Sequence, residues 1–426
     1  MKHTRRWALA SSAVAGLLVA AWLLLWVAVP NDDELARRVE AEFEARLGQK
    51  LVVGAVHWRL LGLPRVEVLD ARTGQAEAIR VRRVAIYPEL LPLLRQRFVI
   101  NRLQIDGAVV PRSALAAYRG KAQDGMGSVV LRAVAFTDTT YISYSGVPVV
   151  YEGDIEFDLD RLPRRMLVRR PEVNPPVSLD ATRDGKTNSG ADLYRLRVQG
   201  GGGSANGQAR LASAADGGSR VLTGELAPRN VNVHALMEAF HRRSPISGLA
   251  SGETELRAQG DTLSGLFRSL KTRSVLQVEG ARILRFDLEK AVKSVGQDRD
   301  GETALDSLSS VVETSNTEQG LKAGFTRVKA VAGPYTGTGR GTVYRKQIDA
   351  QGTLAVGGGV LEVPFALRGP TRQPEFQIAW GTLAGAAVGT AVLPGIGTVL
   401  GATIGGMISG PPQAPDPPAP VKPPRR

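Results

Sequence analysis

The apolar run from Trp7 to Val29 contains no charged residue. A helix of roughly 20 such residues crosses a hydrocarbon core about 30 Å thick, so the run predicts a transmembrane anchor. Lys2, Arg5 and Arg6 stand before it and Asp32, Asp33 and Glu34 after it. That charge bias places the N-terminus in the cytoplasm and residues 31 onward outside. The alternative is a cleaved secretory signal, with Ala28 imitating its cleavage site; such signals have shorter apolar cores, about 7 to 15 residues.

Beyond the anchor, Leu35, Val39, Phe43 and Leu47 recur at helical spacing in DELARRVEAEFEARL. Asn31 or Asp32 can cap this helix, acidic residues fill its first turn, and Gly48 sits where a left-handed residue ends it. From Leu51 the pattern changes to period two. LVVGAVHW, EVLDA, AIRVRRVAIY and FVINRLQIDGAVV read as strands, with Asp106-Gly107 marking a turn or bend and PELLPLL (88 to 94) a short apolar turn or helix.

Further along, Ile155, Phe157 and Leu159 alternate with Glu156 and Asp158. Tyr194, Leu196 and Val198 alternate with Arg195 and Arg197, and Leu276 and Val278 with Gln277 and Glu279. Strands of this kind have one greasy and one wet face, as in antiparallel sheets. The Gly- and Ser-rich stretch 200 to 219 reads as a loop or a long hairpin. Amphipathic helices are predicted at Val233 to Phe240, Leu263 to Leu270 and Phe286 to Val295, with 303 to 315 a further candidate, and strands return from Phe325 to Ile378.

The tail differs. Gly381, Gly385 and Gly389, then Gly397, Gly401 and Gly405, are spaced by four on either side of Pro394-Gly395. Small residues at that spacing let helices approach closely in an apolar setting, so a hydrophobic hairpin in contact with a membrane or partner is predicted over 381 to 410. A tail folded back onto the sheet is the alternative. The Pro-rich end, 411 to 426, is expected to be disordered.

Composition narrows the chemistry. The absence of cysteine removes disulfides, thiolate metal sites and cysteine nucleophiles, and the four histidines form no ligand pair. A net charge of +13 suits anionic partners, and an exported body makes phospholipid head groups better candidates than nucleic acid. Gly185-Lys186-Thr187 ends like a phosphate-binding loop, but the required earlier glycine is Asp180. Gly337, Gly339 and Gly341 alternate along a strand and open no helix. Asp298, Asp300 and Gly301 echo a calcium loop whose first and last ligands would be Gly296 and Ser307. Asp158 and Asp160 could pair as acid and base, yet alternation puts them on a solvated side. No catalytic residue, metal or cofactor is expected, and an enzyme is the minority reading.

The block from Ala45 to Val110 resembles the N-terminal signature of the AsmA family of bacterial envelope proteins. The similarity lies in the order of RLGQKLVVGAVHWRLLGLPRVEVLDA, AIRVRRVAIYPELLPLL and FVINRLQIDGAVV. Residues 221 to 295, in LTGELAPRNVNVHALMEAF, ISGLASGETELRAQGDTLSGLFRSL and VLQVEGARILRFDLEKAV, and residues 363 to 376 resemble that family's C-terminal region. Residues 111 to 220 match weakly. The resemblance implies a single inner-membrane anchor (1 to 30), an N-terminal β-rich region (31 to 223) and a C-terminal region (224 to 380). It further implies a mainly β fold with some α: an elongated, curled antiparallel sheet with short flanking helices and a hydrophobic interior, open or closed.

The function it implies is phospholipid movement between envelope membranes, or outer-membrane assembly and homeostasis. Leu103, Ile105, Ile155, Phe157, Leu276 and Val278 are the groove candidates, and the six tail glycines the candidate membrane or partner contact. The partners implied are a phospholipid or other lipid, the inner membrane, and an outer-membrane or periplasmic protein. A periplasmic scaffold that binds a partner through its tail and carries no lipid is the alternative. At roughly 12 residues per strand and turn and about 4.8 Å per strand, the body is expected to reach on the order of 100 Å.

Overall fold

Alternating apolar and polar residues along the chain build a single sheet of 23 strands. The computed structural model describes residues 32–378 apart from 60–62, 90–91, 93–97, 116–128, 144, 215–217, 295–297, 318 and 357–360. The predicted anchor, the glycine-spaced hairpin, the Pro-rich end and most of the 88–94 segment lie outside the described residues. Among the described residues no helix is long and apolar enough to cross a membrane.

Helix α1 (Asp32–Leu47) forms on the predicted stripe, with Leu35, Val39 and Phe43 buried. Gly48 ends it at φ +62, its amide donating to the Glu44 carbonyl at 2.7 Å. The Glu40 carboxylate accepts from the Val53 amide at 2.8 Å and ties the helix to the sheet. There β1 (Leu51–Val52) and β2 (Ala55–Arg59) both pair with β3 (Arg65–Thr73), followed by β4 (Arg80–Pro88) and β5 (Phe98–Pro111). The chain then crosses over, and β6 (Val129–Leu131) and β7 (Ala133–Ile142) run parallel to β5.

Everything after β7 is an antiparallel meander. β8 (Pro148–Phe157), β9 (Pro163–Arg170), β10 (Val177–Lys186), β11 (Asp192–Gly200), β12 (Gly203–Ser213) and β13 (Arg220–Arg229) pair in sequence. β14 (Val231–Asn232) and β13 share β15 (Ile246–Gly260), which pairs with β16 (Lys271–Ile283). β17 (Thr303–Ala304) and β18 (Ser307–Thr317) both pair with β16. β19 (Gly320–Ala332), β20 (Tyr335–Tyr344), β21 (Gln347–Val356), β22 (Leu361–Pro370) and β23 (Glu375–Ile378) complete the sheet.

Because β1/β2, β6/β7, β13/β14 and β17/β18 each share a rung, the 23 strands make nineteen rungs. At about 4.8 Å per rung the path along the sheet is on the order of 90 Å. Arg112, just past β5, donates to the Thr317 carbonyl at the end of β18, 205 residues on, at 2.8 Å.

Three short helices sit at strand ends: α2 (Val233–Ala239), α3 (Leu263–Ser269) and α4 (Leu288–Lys293). Each begins with a side-chain cap, from Asn232, Thr262 and Asp287 in turn, accepting a backbone amide three residues on. Residues 303 to 315, a helical candidate from sequence, are strands instead, because the exposed edge of β16 is there to be paired and Ser, Thr and Val fill the segment. Of the turn or bend expected at Asp106-Gly107 the structure has the bend: β5 continues through Gly107, at φ +65, to Pro111. Residues 200 to 219 take the hairpin form, with Gly201 and Gly202 at φ +57 and +74 making the tight turn into β12. Leu159 lies past the end of β8 and is exposed, so it does not extend the apolar row of Ile155 and Phe157. Residues 223 and 224, the limits of the two expected regions, lie within β13, and the sheet runs through them without a break.

The largest buried cluster lies between α1 and the first strands: Leu35, Val39 and Phe43 against Val56, Val66, Val68, Val84, Ile86 and Leu103. Beyond β7 the clusters are small, and each lies beneath one short helix.

Candidate functional site

Strand alternation sorts side chains from β8 to β16 onto two unlike faces. One carries Ile155 and Phe157, then Met166 and Val168, Leu179, Leu196 and Val198, and ends at Leu276 and Val278; register aligns them rung to rung, as in Ile155 opposite Met166, Val168 opposite Leu179, and Leu179 opposite Val198. The other carries a ladder of ion pairs: Asp154 to Arg102 at 2.7 Å, Glu152 to Arg169 at 2.6 Å, Asp184 to Arg195 at 2.7 Å, and Glu156 to Arg164. Exposed pairs of this sort stabilise by only about 0–1 kcal/mol each. Their weight is in showing which face is wet.

The apolar face is closed locally. Leu266 of α3 packs onto Tyr194, Ala209, Leu211 and Ala258 at one margin, and Val233 of α2 onto Ala250, Val278, Ala281 and Leu305. Leu196 and Leu222 pack half-buried against the α3 cluster, and beyond these covers Leu256 and Leu276 are half-buried as well. Gly153 makes room on this face: a Cβ there would come within 2.7 Å of the Phe136 ring and 2.4 Å of the Leu167 carbonyl. The face also turns polar near Leu276, where Thr254 donates to Ser274 at 2.9 Å and Thr272 pairs with Thr314 at 2.7 Å.

The six groove candidates fall into two environments. Leu103 is completely buried in the closed cluster under α1, and Ile105 packs partly buried against it. Val278 is buried beneath α2, whereas Ile155, Phe157 and Leu276 are half-buried on the uncovered stretch. The tail glycines from Gly381 to Gly405 lie outside the described residues.

Sequence reading missed two arginines on the apolar face. Arg183 follows Leu179 and Ala181 in alternation, and Arg170 follows Met166 and Val168, so period two already assigned both inward. Arg183 is neutralised by three carboxylates. It donates to Asp158 at 3.0 Å, to Asp160 at 2.6 Å and to Asp192 at 2.5 Å. Asp158 and Asp160 are thus partners of one cation and remain partly solvated, their side chains 38% and 42% exposed. Burial pushes the Asp160 carboxyl up, but the Arg183 hydrogen bond and the Leu162 amide outweigh it and hold it below the ordinary value. The hydrogen bonds that Arg183 donates to Asp160 and Asp192 raise its guanidinium above the ordinary value. This is a clamp joining the 158–162 turn to β10 and β11.

Tyr194 lies opposite Arg183 across β10 and β11, its hydroxyl buried with no hydrogen-bond partner. Burial pushes this phenol up to about 12. The raised value makes a two-part prediction. Stability carried by the neutral phenol is present below its unfolded value near 10 and is lost as pH rises toward 12, by up to about 3 kcal/mol. Tyr194→Phe is expected to remove that alkaline loss and, by deleting an unsatisfied hydroxyl, to stabilise the fold by about 1–2 kcal/mol at pH 7. Urea unfolding of both proteins at pH 7, 10 and 11.5 checks it; a Phe variant that is less stable at pH 7 would show that the hydroxyl has a partner.

Among the described residues no group of three or more His, Asp or Glu is placed to hold a metal ion. The chain matches no protein-family model and is significantly similar to no curated protein and no solved structure.

Proposed function

We propose that this chain is a membrane-anchored periplasmic protein of the AsmA-like kind whose sheet carries phospholipid across water on its apolar face. The observation that carries the reading is the half-buried apolar row from β8 to β16, backed by an ion-pair ladder and covered only in places by seven-residue helices. An acyl chain in water exposes a dozen or more methylenes at about 0.8 kcal/mol each, on the order of 10 kcal/mol, which a continuous apolar row would remove. The contact of Arg112 with Thr317 supports a sheet that curls, giving this face a concave side. The Trp7 to Val29 run would fix one end in the inner membrane, and the glycine-spaced tail would meet a second membrane or an envelope protein.

The test places a photo-crosslinking amino acid at Ile155, Phe157 and Leu276 in cells labelled with radioactive phosphate, with Arg195 as an outward control and Leu103 as a closed-core control. Labelled phospholipid is expected at the first three positions and at neither control. Capture at none of the three in folded, abundant protein would overturn the lipid reading and favour a scaffold that binds its partner through the tail.

A further inference from the structure

Arg170 ends β9 at the margin of the apolar face and is 7% exposed. Its contacts are few: Nε donates to the Val150 carbonyl at 3.0 Å, and the guanidinium carbon stands 5.5 Å from the centre of the Phe240 ring. One terminal nitrogen, Nη1, is buried with no hydrogen-bond partner. Among the described residues no carboxylate pairs with it. The contrast with Arg183 on the same face is direct, since that guanidinium holds three aspartates.

The neighbours add positive charge. Tyr151, on the same face of β8, feels both Arg170 and Arg242, and Arg242 donates to the Ser145 hydroxyl at 3.0 Å. Burial pushes the Tyr151 phenol up against the pull of both arginines, so it stays a neutral donor and supplies no counter-charge. A buried cation without an anion is costly, and the cost is relieved when an anion arrives from outside. Arginine presents its donors as a planar fork that matches phosphate.

We propose that Arg170, with Tyr151 and Arg242 beside it, receives a single phosphate-bearing head group at the rim of the apolar face. The inference rests on the lipid reading above and deepens it. Chains would lie along Met166, Val168 and Leu179, while the phosphate reaches the guanidinium by displacing the Phe240 ring that stands over it, with Arg242 kept in place by Ser145.

The full chain, purified in detergent, is incubated with tritiated dioleoyl phosphatidate or with dioleoylglycerol, which has the same chains and no phosphate, and retained label is counted. Titration with inorganic phosphate is run alongside. The native protein is expected to prefer phosphatidate by at least about tenfold, the size of one charge-assisted hydrogen bond. Arg170→Met is expected to abolish the preference while still retaining both lipids at the dioleoylglycerol level, and Arg169→Met on the wet face to keep it. Methionine fills similar space and removes an unpaired charge, so its melting midpoint should hold or rise. Arg170→Lys keeps the charge without the fork and should lose most of the preference; it gives the same readout if the methionine variant fails to fold.

Equal retention of the two lipids by the native protein, or an undiminished preference in both Arg170 variants, overturns the head-group site and leaves the apolar face standing. Retention of neither lipid overturns the lipid reading. In that case phosphate binding that Arg170→Met abolishes keeps the anion site with free phosphate as its source, and no phosphate binding overturns the site as well.

Discussion

Replacing Arg183 by methionine is expected to destabilise the fold by about 3 kcal/mol, the lower end of what breaking a buried ion pair costs. Three carboxylates would lose their shared cation, but not equally. The Asp192 side chain is only 13% exposed and would be left nearly desolvated, whereas Asp158 and Asp160, at 38% and 42%, regain solvent and contribute much less. The loss has a pH signature. Because the Asp160 carboxyl is held below its ordinary value in the folded chain, its contribution is present above about pH 4 and is lost as pH falls through the lowered value. The difference between native and Arg183→Met proteins should therefore narrow below about pH 4 by the share that Asp160 carries. Urea midpoints at pH 7, 5 and 3 read this out; a constant difference across that range would mean that packing of the Arg183 stem, not its charge, is what matters.

Leu103→Ala should cost about 3–4 kcal/mol, because Leu103 is completely buried opposite Ile86 in the cluster that the α1 side chains share, and its removal leaves a cavity there. Leu276→Ala, an identical change on a half-buried residue of the same sheet, should cost less than about 1 kcal/mol. The pair separates closed core from open face by stability alone, without any assay of lipid. Equal losses at the two positions would show that the uncovered stretch around Leu276 is filled in solution, and the crosslinking test would then be expected to fail there.

Much of the fold was legible because the signals are local. The stripe of Leu35, Val39 and Phe43 needs only its own helix to be read, and so do the amphipathic segments that became α2, α3 and α4. Period two likewise assigns a face to each residue of a strand before any partner is known, as at Tyr194, Leu196 and Val198 against Arg195 and Arg197. The reading failed where two periods fit. Leu305, Leu308 and Val312 are spaced as on a helix, yet the segment became β17 and β18 because β16 offered an unpaired edge. At Asp106-Gly107 turn and bend were both open, and β5 took the bend, since a left-handed glycine serves either equally well.

By itself, then, the sequence determined a β-rich body whose strands each have one greasy and one wet side, and helices at the places where the meander is interrupted. Only the tertiary structure decided which apolar side chains are sealed and which are half-open, since Leu103 and Leu276 sit in the same alternating pattern and differ only in whether α1 lies over them. It also decided that Arg183 meets aspartates 25, 23 and 9 residues away while Arg170 meets none among the described residues. The physical reason is common to both: alternation fixes the direction of a side chain from its own backbone, whereas burial and charge pairing depend on what distant segments bring to that direction.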